Sequence, residues 1–221
     1  MKKTIISLFA ILLLGCNSKG QENKVRLTGD QVITELENLH FFGLTEKEDL
    51  EESKANFKDS YERLHFFEGK ERDDSTTFTD NRFYSIDCEV LFESEGLIEY
   101  LEIVRKAFDK LGLELKVSDE FSKQNKKHWL HKIKLNGKEY IAYDNDFGMY
   151  DWDISFVNFI RMLNDQLSMQ NAGEKFYPIR SGNDGMMVLL TKEQFDFVRA
   201  NYPNDKDHPK ELSEWENIRR N

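Results

Sequence analysis

The feature that most limits what this chain can build is its opening stretch, MKKTIISLFAILLLG. Lys2 and Lys3 give a basic start, and Ile5 to Leu14 is almost wholly apolar, interrupted only by Ser7. That run is about half of the ~20 residues a helix needs to cross a bilayer. The competing reading, a buried N-terminal helix, fares badly because the segment is apolar on every side and stops abruptly at a polar stretch. A charged start, a short apolar stretch and a small residue are the layout of a removable export signal. The fold must then be made by the residues beyond it.

The junction narrows the reading. Leu13-Leu14-Gly15-Cys16 resembles the lipobox of bacterial lipoproteins, although no family is recognised for the body of the chain. The resemblance implies that residues 1–15 are a signal peptide cut away by lipoprotein signal peptidase. It also implies that the Cys16 sulfur is diacylated and its new amino group acylated. Each buried methylene contributes ~0.8 kcal/mol, and one chain holds only marginally, so two or three are needed for a stable anchor. Residue 17 is Asn, where many enterobacterial lipoproteins held at the inner membrane have Asp. The resemblance thus implies a lipid-anchored protein of the cell envelope, at the outer membrane.

Removing residues 1–15 from 221 leaves 206, enough for one large domain with a proper core. Losing Lys2 and Lys3 takes the net charge from −10 to −12. Such a body is repelled by phosphate and anionic head groups, which argues against nucleic acid and in favour of a basic protein partner. With Cys16 carrying lipid, Cys88 has no cysteine to pair with, so stability must come from packing. Residues 16–27 (CNSKGQENKVRL) are polar and aperiodic, and read as a flexible tether. Residues 28–221 then form a single domain.

Its pattern reads as α+β. Val32, Leu36, Leu39 and Phe42 predict a helix stopping at Gly43, and Thr45 with Glu48 has capping-box spacing for a second helix carrying Leu50, Phe57, Tyr61 and Leu64. Residues 68–80 read as a loop. Tyr84, Ile86, Cys88, Val90 and Phe92 alternate with mostly polar residues and predict a strand, placing Cys88 as a small hydrophobe on its apolar face. A helix comes next over Leu97–Leu111, then a strand over 113–117. Asn136-Gly137 is a strong hairpin signal, pairing Lys134 with Glu139 and Ile133 with Tyr140, with Trp129, His131, Ile133 and Leu135 on one side. A helix through Phe156 and Leu167, strands at 175–180 and 186–190, a helix opened by the Thr191/Gln194 box, and a short helix with Trp215 complete the chain. Strands arriving in consecutive pairs predict a mostly antiparallel or mixed sheet of about six strands with helices packed on one face, preceded by the N-terminal helical pair.

Signatures of catalysis are scarce. No phosphate loop, dinucleotide fingerprint or serine elbow occurs, so no cofactor is expected. Asp144, Asp146, Asp151 and Asp153 crowd a ten-residue stretch read as a loop between strand and helix. They are weak candidates for a hard cation such as calcium, since the glycine and the twelfth position do not match an EF-hand. The competing reading has them shaping the turn and capping the helix. His128 and His131 fall on opposite faces of a strand, and His131 beside Ile133 reads as an inner-face residue. His40 and His65 sit near helix ends, and His208 lies in a polar link with Asp205 and Asp207. Phe147, Tyr150 and Trp152 stand among the carboxylates, a composition suited to meeting a basic partner; Phe176 and Tyr177 flank the glycine-rich turn.

These features point to a lipid-anchored, non-enzymatic protein-binding module with an acidic, aromatic-rich face, of which a toxin-neutralising (immunity) lipoprotein is one concrete form. The alternatives are an envelope hydrolase or calcium-dependent protein using the 144–153 carboxylates, and a lipoprotein that binds a glycan or small ligand. The anchor is directly testable. Cys16→Ser should leave an uncleaved precursor that takes up no labelled palmitate; unchanged maturation and membrane partitioning would contradict it.

Overall fold

The computed structural model describes residues 26–67, 81–93, 95–202, 205 and 207–218. The leader, Cys16, most of the tether and the 68–80 loop lie outside them. Helix α1, Gly29–Asn38, opens with a capping box: Thr28 accepts the Gln31 N–H, and Gln31 accepts that of Thr28. It ends sooner than its apolar pattern predicts. His40 takes a left-handed φ of 53°, and Phe41–Leu44 form a 3-10 turn that drives Phe41, Phe42 and Leu44 inward. The second helix, α2 (Leu50–Glu62), is led by a 3-10 turn at Lys47–Asp49, so the Thr45/Glu48 box does not open it.

The expected strand through residue 92 is cut in half. Strand β1 covers Phe83–Asp87, and there the Asp87 carboxylate accepts the N–H groups of Glu89 and Val90. That cap starts α3, Cys88–Phe92, so Cys88 begins a helix instead of lying on a strand face. It is fully buried even so, and desolvation pushes its thiol up to about 12, leaving it protonated. Helix α4 spans Gly96–Lys110, and Gly112 lies just past it in the left-handed region. The strand expected over 113–117 is displaced to β2, Val117–Gln124. Glu114 is held instead by the Gln170 side chain, which meets both its N–H and its carbonyl at 2.8 Å.

Strands β3 (His128–Leu135) and β4 (Lys138–Asp146) form the hairpin in the expected register, Lys134 against Glu139 and Ile133 against Tyr140. Asn136 and Gly137 both have positive φ, which the two-residue turn requires. Trp129, His131, Ile133 and Leu135 are buried on one side, as the alternation predicts. After α5 (Asp151–Met169) come β5 (Glu174–Arg180), β6 (Asp184–Thr191), α6 (Lys192–Asn201) with the Thr191/Gln194 box intact, and α7 (Leu212–Ile218).

The fold is α+β, and among the described residues all six strands pair antiparallel, but in two three-stranded sheets, β1-β6-β5 and β2-β3-β4, instead of one. The helices also cover more than one face. The cause lies in β6, where every residue from Gly185 to Leu190 is buried. Met187 and Leu189 join Tyr84, Ile86 and the α4 and α5 side chains in one core. Met186, Val188 and Leu190 join α1, α2, α6 and the Phe41–Phe57–Phe66–Phe83 ring cluster in another. A strand apolar on both sides needs cover on both sides. The layers therefore run α1/α2/α6, first sheet, α3/α4/α5, second sheet.

Helix α5 ties the two sheets together. Asn164 grips the outer strand β5, accepting the Phe176 N–H at 2.7 Å and donating to its carbonyl at 2.9 Å. Asn158 donates to Ala142, the residue left without an opposite number at the β4 bulge. Gln166 reaches the Leu135 carbonyl and accepts from Asn136 at the hairpin turn. On the other side, buried Arg82 donates to the carbonyls of Phe41 and Leu189, joining the 3-10 turn to β6. Gly185 is needed where β6 passes α3: a Cβ there would lie 2.6 Å from Cys88 Sγ and 2.9 Å from the Ile86 carbonyl oxygen. Gly185→Ala should cost about 1–3 kcal/mol in urea unfolding through overpacking; a neutral result would contradict the close approach.

Candidate partner-binding surface

The stretch singled out by its carboxylates begins earlier in the architecture than expected. Asp144 and Asp146 belong to β4, and only 147–150 connects it to α5. Both aspartates face His128 on the neighbouring strand, Asp144 Oδ1 at 2.9 Å from Nε2 and Asp146 Oδ1 at 3.0 Å from Nδ1. The carboxylates can only accept, so the ring engages both when each of its nitrogens carries a proton. Asp151, in the first turn of α5, accepts from the Tyr143 hydroxyl at 2.5 Å and the Gly148 N–H at 3.0 Å. Burial and then the Asp151 bond push the Tyr143 phenol well above its usual range. Asp153 accepts instead from Ser181, at 2.5 Å.

The four carboxylates thus serve three separate sets of partners and do not converge. Among the described residues no group of three or more His, Cys, Asp or Glu is placed to hold a metal ion. The remaining histidines have structural surroundings. His131 is buried, stacks on Trp129 at 4.9 Å and meets Glu120 at 2.8 Å, as its inner-face position predicts. His40 is the left-handed residue after α1, and the His65 N–H bonds the Ser60 carbonyl after α2. His208 is half-buried against α6, where desolvation and then Arg199 lower its pKa.

The apolar residues of the connection behave differently. Met149 is 88% exposed, Tyr150 58% and Phe147 37%, whereas Trp152 turns inward and packs on the main core. The expected aromatic trio is therefore divided, with Phe147 and Tyr150 outward and Trp152 not. Phe176 and Tyr177 are core residues on opposite faces of β5. Met149 escapes a reading of the sequence, because a lone methionine between glycine and tyrosine carries no periodic signal.

The exposed segment is held firmly from beneath. Phe147 N–H bonds the Lys127 carbonyl at 2.7 Å, and its ring stands edge-on to Phe92, which in turn packs against Trp129 and Tyr143. Phe121 and Ile141, each 49% exposed, lie on the solvent face of the same sheet. Ile141 is outward and Tyr143 inward because the bulge at Ala142 reverses the alternation along β4. Among the described residues, five of the seven exposed large apolar ones, Phe121, Ile141, Phe147, Met149 and Tyr150, thus sit on this sheet or the connection leaving it. Compared with protein-family models, curated proteins and solved structures, the chain matches none.

Proposed function

We propose that this chain is a lipid-anchored envelope protein that binds a basic protein partner through the 147–150 segment and its neighbouring carboxylates, without catalysing a reaction. The observation that carries the reading is the tip Met149-Tyr150. Two large apolar side chains stand in water on a segment that Gly148, Asp151 and Tyr143 hold in place. A rigid segment loses little freedom on docking, so apolar area buried there converts efficiently into affinity. Asp144 and Asp146 beside it supply the charge that would steer a basic partner. Carboxylates tied to separate partners lend less support to a hydrolase, and an inward Trp152 lends less to a glycan platform.

The proposed anchor is compatible with access to this surface. Where the described chain begins, Arg26 donates to the Tyr61 carbonyl at 2.9 Å and lies over the Tyr61 ring. That is the outer helical layer, separated from the second sheet by two intervening layers. A toxin-neutralising lipoprotein is one concrete form of the reading.

The test is capture from envelope extracts by the immobilised full chain and by a Met149→Ser/Tyr150→Ser variant. The variant should keep its stability within about 0.5 kcal/mol, since both side chains are exposed. It should nevertheless lose a protein that the parent retains at low salt and releases at high salt. Capture of no protein at low salt, or capture indifferent to the variant, would overturn the proposal.

A further inference from the structure

Strand β2 is an outer strand of the second sheet, and Ser118 to Gln124 are all exposed. Asn125 donates its main-chain N–H to the His128 carbonyl at 2.9 Å. Main-chain groups alternate along an antiparallel ladder, so Lys123 and Phe121 turn theirs toward β3 while Ser122 and Gln124 turn theirs to solvent. Outer strands of this kind are templates for further pairing unless something blocks them. On the solvent face, Asp119 meets Lys134 at 2.9 Å, Phe121 is 49% exposed, and Lys123 stands opposite Leu130.

The side chains of β2 discriminate among ways of pairing it with itself. An antiparallel register centred on Lys123 sets lysine against lysine. One centred on Ser122 sets Phe121 against Lys123. A register centred on Phe121 sets Phe121 against its copy and Asp119 against Lys123 on both sides of the axis. It also lets the outward groups of Ser122 bond those of Glu120 reciprocally. Opposite charges facing across strands are favourable and like charges are not, so the third register wins.

We propose that two copies of this chain pair along β2, antiparallel about a twofold axis at Phe121, joining their second sheets into one continuous sheet. The contact is isologous and closes on itself, as a twofold interface must. The bulge at Asp119–Glu120, where Asp119 has a φ of 48°, twists the start of the strand and limits the shared ladder to Glu120–Ser122 of each copy, with the Asp119 and Lys123 side chains meeting just beyond it. The interface is accordingly small, and holding both copies in one membrane plane would raise their effective concentration. Only the gain in effective concentration rests on the proposed anchor; pairing along the open side of β2 does not use the 147–150 segment, so cross-linking and partner capture fail independently.

Cysteine scanning of the full chain tests it. Phe121→Cys lies opposite itself across the axis and should oxidise to a disulfide-linked dimer well above the parent level. Asp119→Cys and Lys123→Cys should each fail alone but cross-link when mixed. Adding Lys123→Asp to Phe121→Cys should lower the dimer yield on the order of tenfold, and a further Asp119→Lys should restore it. Equal cross-linking at all three positions, no dimer from Phe121→Cys, or indifference to the charge reversal would each overturn the proposal.

Discussion

The architecture depends on one strand having no polar side. From Gly185 to Leu190, β6 sends Met187 and Leu189 into one core and Met186, Val188 and Leu190 into the other. Each such side chain contributes about 1.5–3 kcal/mol when fully buried, so neither face can be left in water. β1 and β5 flank β6, the α1/α2/α6 layer closes one side, and α4 and α5 close the other. Because α5 is itself buried against β5 on one flank and β4 on the other, the second sheet is drawn onto the stack. Its outer face then remains for solvent, and that is where the exposed apolar residues gather.

The polar contacts obey the same logic. Outer strands leave main-chain groups unpaired, and this chain covers several of them with amide side chains from a single helix. Asn164 takes both main-chain groups of Phe176, and Asn158 takes the carbonyl that the β4 bulge leaves over. Gln166 is buried between the hairpin turn and α5, and also donates to the Tyr140 hydroxyl. That hydroxyl donates to Asp165, whose carboxyl is held below its usual range first by Lys138 and then by Tyr140. Among the described residues no amide side chain covers the main-chain groups of β2 in this way, which sets it apart from β4 and β5.

Local signals were the legible part of the sequence. Asn136-Gly137 dictated the hairpin and its register because few other residues accept two successive positive φ values. The Thr191/Gln194 box placed α6, and the alternation of Trp129, His131, Ile133 and Leu135 identified the buried face of β3. Departures arose where a side chain competed with the regular pattern for the backbone. Asp87 caps α3 and ends a strand whose apolar alternation runs on, and His40 ends α1 a turn early by leaving helical conformation. The division into two sheets was illegible for another reason. It rests on β1 pairing with β6 across about a hundred residues, and on β6 being apolar on both faces. A short apolar run of that kind does not announce whether it is central. Of the candidate surface, composition revealed Phe147 and Tyr150. Met149, Phe121 and Ile141 emerged only once the bulge and the sheet order were known.

If β6 makes one unit of the two cores, neither half should melt without the other. Trp129, Trp152 and Trp215 all lie on the side of the core built around α5. The helical layer α1/α2/α6, with its phenylalanine cluster, contains none of them. Equilibrium urea unfolding tracked in parallel by tryptophan fluorescence and far-ultraviolet circular dichroism therefore reads one half and the whole. Shared dependence on β6 predicts a single coincident transition by both probes. A loss of helical signal at urea concentrations where tryptophan emission is still native would show that the α1/α2/α6 layer unfolds by itself, and would contradict it.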